Sequence, residues 1–326
     1  MTHPTGWEQR GYFAAQLGTD VAPAGWTAPA AGAGIVPPRP LQVGDILGGA
    51  FRAVRYAPLT MFGLTLVVIL IAQLLGMGAG YVLGQQFGDL LPADELDLGA
   101  GLFSWSTITG ALANAITSIV VGMGLMYTVF HAVSARRVAP AEALRQMGRR
   151  MGAALGFTAL TGLAVVAVFG AGLAAAIPML AGDEDALVGL VVLGVLVLAV
   201  PATWIGTRLL LAPCVITVEG LGPIRAIARS WQLSRGQFWR ILGIYLLSSV
   251  IISMAASTIS SVFTFAGMLL AIESLDLAML VMTLVSTLIS AILSLPLTTA
   301  VVALLYVDAR IRQEGYDLQL SEALYG

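Results

Sequence analysis

Apolar residues in this chain run in long blocks, with little of the polar interleaving that marks a soluble helix or a half-buried strand. Six blocks fall at about 59–86, 104–133, 152–181, 186–212, 239–271 and 277–307. Each exceeds the roughly 20 residues a helix needs to cross about 30 Å of hydrocarbon. The pattern predicts an all-α, polytopic membrane bundle of six transmembrane helices. Several blocks are longer than a perpendicular crossing requires, so tilt or extension past the bilayer is expected. Pro178, Pro201, Pro213 and Pro296 mark expected kinks or ends. Only Gly182-Asp183-Glu184-Asp185 separates the third and fourth blocks, which pairs them as an antiparallel hairpin.

Helical spacing with two distinct faces does occur, just before the first, third and fifth blocks. The stretches begin at Gly44, Pro140 and Gly222-Pro223. In the third, Ile224, Ile227 and Trp231 share one face and Arg225, Arg229 and Gln232 another. In the second, Leu144, Met147 and Met151 oppose Glu142, Arg145 and Arg149. Such helices suit a bilayer surface, apolar face down and Arg among anionic headgroups. The expected unit is thus an interfacial amphipathic helix followed by a transmembrane hairpin, repeated three times over residues 41–320. Residues 1–40, rich in Ala, Gly and Pro, are expected to be a disordered tail dotted with Trp7, Tyr12 and Trp26. Residues 321–326 form a short C-terminal end.

Composition agrees with the pattern: 58% of the 326 residues are hydrophobic and 10% charged. Too little polar surface remains to cover a soluble core. The distribution of charge adds orientation. Fourteen arginines, from Arg39 to Arg312, flank alternate blocks. The intervening loops hold Asp89, Asp94, Glu95, Asp97, Asp183, Glu184, Asp185, Glu273 and Asp276 without a basic residue. By the positive-inside rule both termini face the cytoplasm, and Ala-, Gly- and Arg-rich usage without any Lys suggests a bacterial inner membrane. A single Cys214 excludes an internal disulfide. No basic stretch followed by an apolar one marks a leader in residues 1–40.

Candidate chemistry is sparse. The only histidines are His3 and His131, and neither a zinc-protease motif, a nucleophile elbow nor a phosphate-binding loop occurs. Neither an enzyme, a cofactor nor a nucleic-acid partner is expected. Arg208, close to the inner end of the fourth block, is the charge most embedded in apolar sequence. With Glu219 and Asp308 at the same level, it forms a candidate buried polar network. Arg225, Arg229, Trp231, Arg235, Trp239 and Arg240 form a basic, aromatic entry to the fifth block and are candidate contacts for anionic phospholipid headgroups. Gly76, Gly80 and Gly84, and Gly152 with Gly156, offer small-residue faces for close helix packing.

Three stretches resemble a known family. They are Arg39-Pro40-Leu41 with Gly44-Asp45-Ile46-Leu47 and Gly49-Ala50-Phe51-Arg52; Glu219-Gly220-Leu221-Gly222-Pro223 continuing to Phe238-Trp239-Arg240; and Tyr306 through Asp308, Arg310, Arg312, Glu314-Gly315 to Asp317-Leu318. Together, over about 39–320, they are similar to the bacterial glycerophosphoryl diester phosphodiesterase membrane-domain-like family. That resemblance implies a helical membrane domain without the catalytic domain, so it carries no catalytic residue to this chain. It also implies a polar network among Asp45, Arg52, Glu219, Arg235, Asp308, Arg310 and Glu314. The expected role is a non-enzymatic scaffold or accessory factor, with lipids or a protein bound through the tail or inner helices. The alternative is a transporter or lipid-handling protein with a cavity between the hairpins. The oligomeric state is open.

Overall fold

A computed structural model describes residues 35–36, 39–87, 105–133, 138–176, 199–270 and 275–315; among them all regular structure is helical. Helix α1 is Val43–Tyr56. A widened π-turn over Leu59–Gly63 follows Pro58 and leads into α2, Leu64–Phe87. Then come α3 (Trp105–Val133), α4 (Pro140–Ala176), α5 (199–209), α6 (Ala212–Val218), α7 (Pro223–Leu233), α8 (Phe238–Leu270) and α9 (Leu275–Glu314).

Five stretches of the described chain are long and apolar enough to cross a bilayer: Leu59–Phe87, Leu112–Val133, Ala199–Val218, Phe238–Phe265 and Leu284–Glu314. The third expected span coincides with part of α4. The expected turn at 182–185 lies outside the described residues, as do Pro178 and most of the tail. Helices α2 with α3, and α8 with α9, pack along one another as hairpins. Helix α9 also touches α1, α2 and α3, while α3 touches α4 and α6, so α3 and α9 form the centre of the bundle. Their inward faces supply the largest buried side chains, among them Met123, Leu125, Leu304 and Tyr306. Because lipid tails are as apolar as these side chains, close packing and polar ties hold helices together here more than the hydrophobic effect does. Gly76 of α2 is one such close approach, where a Cβ would lie 2.9 Å from the Ala113 Cβ of α3.

Two of the three expected interfacial helices take another form. Helix α1 does not lie free on a surface. It buries Ile46, Gly49, Ala50, Ala53 and Val54, and a Cβ on Gly49 would lie 2.8 Å from both Leu304 of α9 and Val36. An amphipathic pattern specifies an apolar face, and the bundle satisfies that face as well as lipid does. The second stretch, 140–151, is the first third of the continuous α4, since nothing between Pro140 and Ala176 breaks the helix. Helix α7 is a short helix of its own, opened by Pro223 in its first turn and followed by a turn through Gly236 at φ 74°. The end of the expected tail is also packed: Ile35 and Val36 are buried, and Arg52 donates to the Ile35 carbonyl at 2.9 Å.

The break between α5 and α6 has a local cause. Pro213 lacks the N–H that would bond the Leu209 carbonyl, and the chain turns at Leu210 and Leu211. The Arg208 carbonyl instead accepts from the Ser230 hydroxyl of α7 at 2.6 Å, which fixes α7 across the break.

Candidate functional site at the arginine-rich end

Contacts between distant segments gather the arginines at one end of the bundle. Asp308, 2% exposed, sits near the end of α9. One of its oxygens accepts from the Leu41 N–H at 2.8 Å, and Arg312, one turn on, donates to both oxygens at 3.0 and 3.1 Å. Arg240, from the first turn of α8, donates to the other side at 3.2 Å. Arg240 also donates to the Leu41 carbonyl, and Arg312 reaches that carbonyl at 3.4 Å. One carboxylate and two guanidinium groups thus clasp a backbone segment that is 267 residues away in sequence. Leu41, fully buried, precedes a capping box in which the Gln42 N–H donates to Asp45 at 3.0 Å and Arg39 pairs with Asp45 at 3.1 Å.

A second cluster lies around Glu219, the residue that follows α6. It accepts from the Tyr306 hydroxyl at 2.8 Å and from Arg229 of α7 at 3.2 Å. Arg229 also pairs with Glu314, which Arg310 holds from the preceding turn at 2.9 Å. Burial opposes the charge of Arg229. The Glu314 hydrogen bond and the Glu219 charge outweigh it and raise its pKa. The chain leaves Glu219 through Gly220, at φ 73°, whose carbonyl accepts from Arg150 of α4 at 3.0 Å. A Cβ there would be strained by the backbone angle and would meet the same guanidinium. The Gln313 amide closes the set by donating to the Leu233 and Arg235 carbonyls at 2.7 and 3.2 Å.

Arg208 is not part of either cluster. The expected grouping of Arg208 with Glu219 and Asp308 is corrected: those two acids belong to separate networks, and Arg208 faces neither. Its guanidinium carbon lies 5.4 Å from the Trp231 ring, 5.5 Å from Phe238 and 5.8 Å from Trp204, and it donates to the Ser234 hydroxyl at 3.2 Å. Counting residues places Arg208 along α5 but leaves open which way around the helix its side chain points, and that direction takes it to the rings and Ser234.

The six candidate headgroup contacts divide in the same way. Arg229 and Arg240 are engaged in the ion pairs described, and Trp231 forms a wall around Arg208. Arg225, Arg235 and Trp239 face outward, Trp239 being 81% exposed. Sequence reasoning missed Leu41, Ser234 and Trp204 as participants. Trp204, one helical turn before Arg208, carried a readable signal; a backbone amide such as Leu41 carries none. His131 bonds the Tyr127 carbonyl at 2.9 Å and leans against that tyrosine's ring at 46°, a local helical contact.

On another face of α5 an apolar cavity of about 460 Å³ opens among α3, α4, the α5–α6 region and α9. Met126, Phe157, Ile205, Leu209, Pro213 and Thr299 are among its walls. It adjoins the helix break before Pro213 and the stretch of α9 that carries Pro296 inside the helix.

These features define a multi-pass, helical integral membrane protein whose polar chemistry is concentrated at one end. Residues 185–320 match the family described as the membrane domain of glycerophosphoryl diester phosphodiesterase. The second and third motifs lie within that range, and the first, at 39–52, lies before it. No curated protein and no solved structure matches the chain. The motif residues inside and outside the matched range nevertheless meet, since Leu41 is bound by Asp308, Arg240 and Arg312.

Proposed function

We propose that the chain is a non-enzymatic module of a bacterial inner membrane, with both termini and the arginine-rich end in the cytoplasm, acting there as a scaffold or accessory factor. The observation that carries this reading is the use made of the motif carboxylates. Asp308, Glu219 and Glu314 are each held by arginines and by the chain's own groups. Neutralised in this way, they serve as joints, Asp308 between the first and last segments and Glu219 and Glu314 between α6, α7 and α9, and offer no free acid, base or metal-binding pair. The segregation of arginine supports the orientation, and a reporter active only outside the cell, fused after Gly326, should remain silent. The purified chain should not hydrolyse glycerophosphodiesters with divalent cations added. Hydrolysis that survives purification and is lost in Asp308→Asn would overturn the non-enzymatic reading. Cross-linking in intact membranes should trap a specific protein through residues 1–34 or the exposed Arg225 and Arg235. Loss of no partner on removing both would sink the scaffold role.

The cavity supports a second reading, a lipid-handling protein. Its volume lies in the range of small-molecule sites, and its walls are apolar. That lining suits a hydrocarbon chain better than a polar solute crossing the membrane.

A further inference from the structure

Five arginines at this end of the molecule are matched to carboxylates: Arg39, Arg229, Arg240, Arg310 and Arg312 each form an ion pair, while Arg225 and Arg235 stand exposed. Arg208 does neither. Among the described residues it has no carboxylate partner, and its Nε is buried with no acceptor. A guanidinium offers five N–H donors in a planar fork. Here one of them is used, toward Ser234. The three rings around it lower the cost of holding the charge but accept no hydrogen bond in the plane of the fork. Trp204 and Trp231 meet edge to face at 5.1 Å, so the rings brace one another as well as the cation.

What surrounds this cage identifies the missing acceptor. Val200, Trp204 and Arg208 lie four residues apart on α5 and form one stripe, with Val200 73% and Trp204 43% exposed. The stripe runs from apolar depth toward the arginine-rich end, where exposed Ile224 and Trp239 mark an interfacial belt. A ligand that fits must present an oxyanion to the fork and hydrocarbon to the stripe below it. We propose that Arg208, with Ser234 and the Trp204–Trp231–Phe238 cage, is a site for the phosphodiester of an anionic phospholipid, whose acyl chains lie along Val200 and Trp204. Free phosphate would bring the same oxygens. It would lose its strong hydration among aromatic rings and gain nothing from the stripe. The site does not depend on the scaffold role and would exist whether or not a protein partner binds.

Native mass spectrometry of the full chain in mild detergent, after exposure to phosphatidylglycerol, phosphatidylcholine or inorganic phosphate, tests this. The wild type should retain phosphatidylglycerol in preference to phosphatidylcholine, and Arg208→Met should retain about fivefold less, as expected for loss of a charge-assisted fork. Arg208→Lys, which keeps the cation and spares the fold if methionine does not, should fall between them because ammonium lacks the fork. The paired change Arg225→Gln with Arg235→Gln should leave retention near that of the wild type. Equal retention by Arg208→Lys and wild type, or a loss in the paired variant as large as in Arg208→Met, overturns the assignment. Displacement of the lipid by millimolar inorganic phosphate also overturns it, in favour of a free-anion site.

Discussion

Asp308 and Arg208 are both charges carried into apolar surroundings, yet the fold treats them oppositely. Asp308 is surrounded on all sides: two guanidinium groups and a backbone N–H saturate its oxygens, and the spare donors of both arginines bind the Leu41 carbonyl. Arg208 is enclosed by rings that soften its charge without accepting its protons. A saturated site is a joint, because every group in it already has a partner within the chain. A site short of an acceptor is open to a partner from outside. The difference explains how one end of the bundle can be rigid and still bind something.

The largest effect is expected at the joint. Removing one partner of a buried ion pair leaves the others uncompensated, which costs about 3–5 kcal/mol. The arginines around Asp308 are each 32% exposed and can turn partly toward water, so Asp308→Asn should lie near the lower figure, about 3 kcal/mol. Thermal unfolding in detergent measures it. An Asp308→Asn protein that unfolds with the wild type would mean that the clasp holds nothing together.

A smaller loss is expected where the clasp is reinforced by packing. A Cβ on Gly49 would fall 2.8 Å from Leu304 and from the branched, stiff Val36. Gly49→Ala should therefore cost about 1–2 kcal/mol, as overpacking does. It should also release residues 35–42 to proteolysis before the bundle unfolds. Cleavage no faster than in the wild type would show that the segment is held by the Leu41 clasp alone.

Much of this was written in the apolar blocks and the segregated arginines: helical class, the approximate positions of five apolar spans, and the grouping of arginines at one end. Those features depend on long averages along the chain, which lipid enforces strongly. The pairings did not have that support. Arg229 and Arg240 fell on polar faces suited equally to headgroups and to carboxylates. Only the return of α9 against α7 and α8 brings Glu314 and Asp308 to them. The burial of α1 was hidden for the same reason, since its apolar face is defined by sequence but its cover, α9, begins more than 200 residues later.

At the open site the effect on stability should be smaller again. Arg208→Met removes contacts with three rings and one hydroxyl but strands no buried carboxylate. Cation–π contacts contribute about 0.5–2 kcal/mol, and the orphaned Nε offsets part of that, so a loss near 1 kcal/mol is expected. The contrast with Asp308→Asn is what matters. If both variants unfold to the same degree, Arg208 is a joint as well, and the distinction between the two regions fails.

The smallest effect should come from the cavity, which extends the same comparison from charge to volume. Gly206 lines it, and a Cβ built there meets nothing within 4 Å. Gly124, by contrast, would press a Cβ to 2.6 Å from the Met147 sulfur. Gly206→Ala adds a methyl group to open space and restricts the backbone of the unfolded chain, so unfolding should move by about 0.5 kcal/mol, toward stability. The sign is informative. A loss of several times that size would mean that the space beside α5 is occupied. In that case the apolar cavity would be a packed interface, and the lipid-handling reading would lose the observation that favours it.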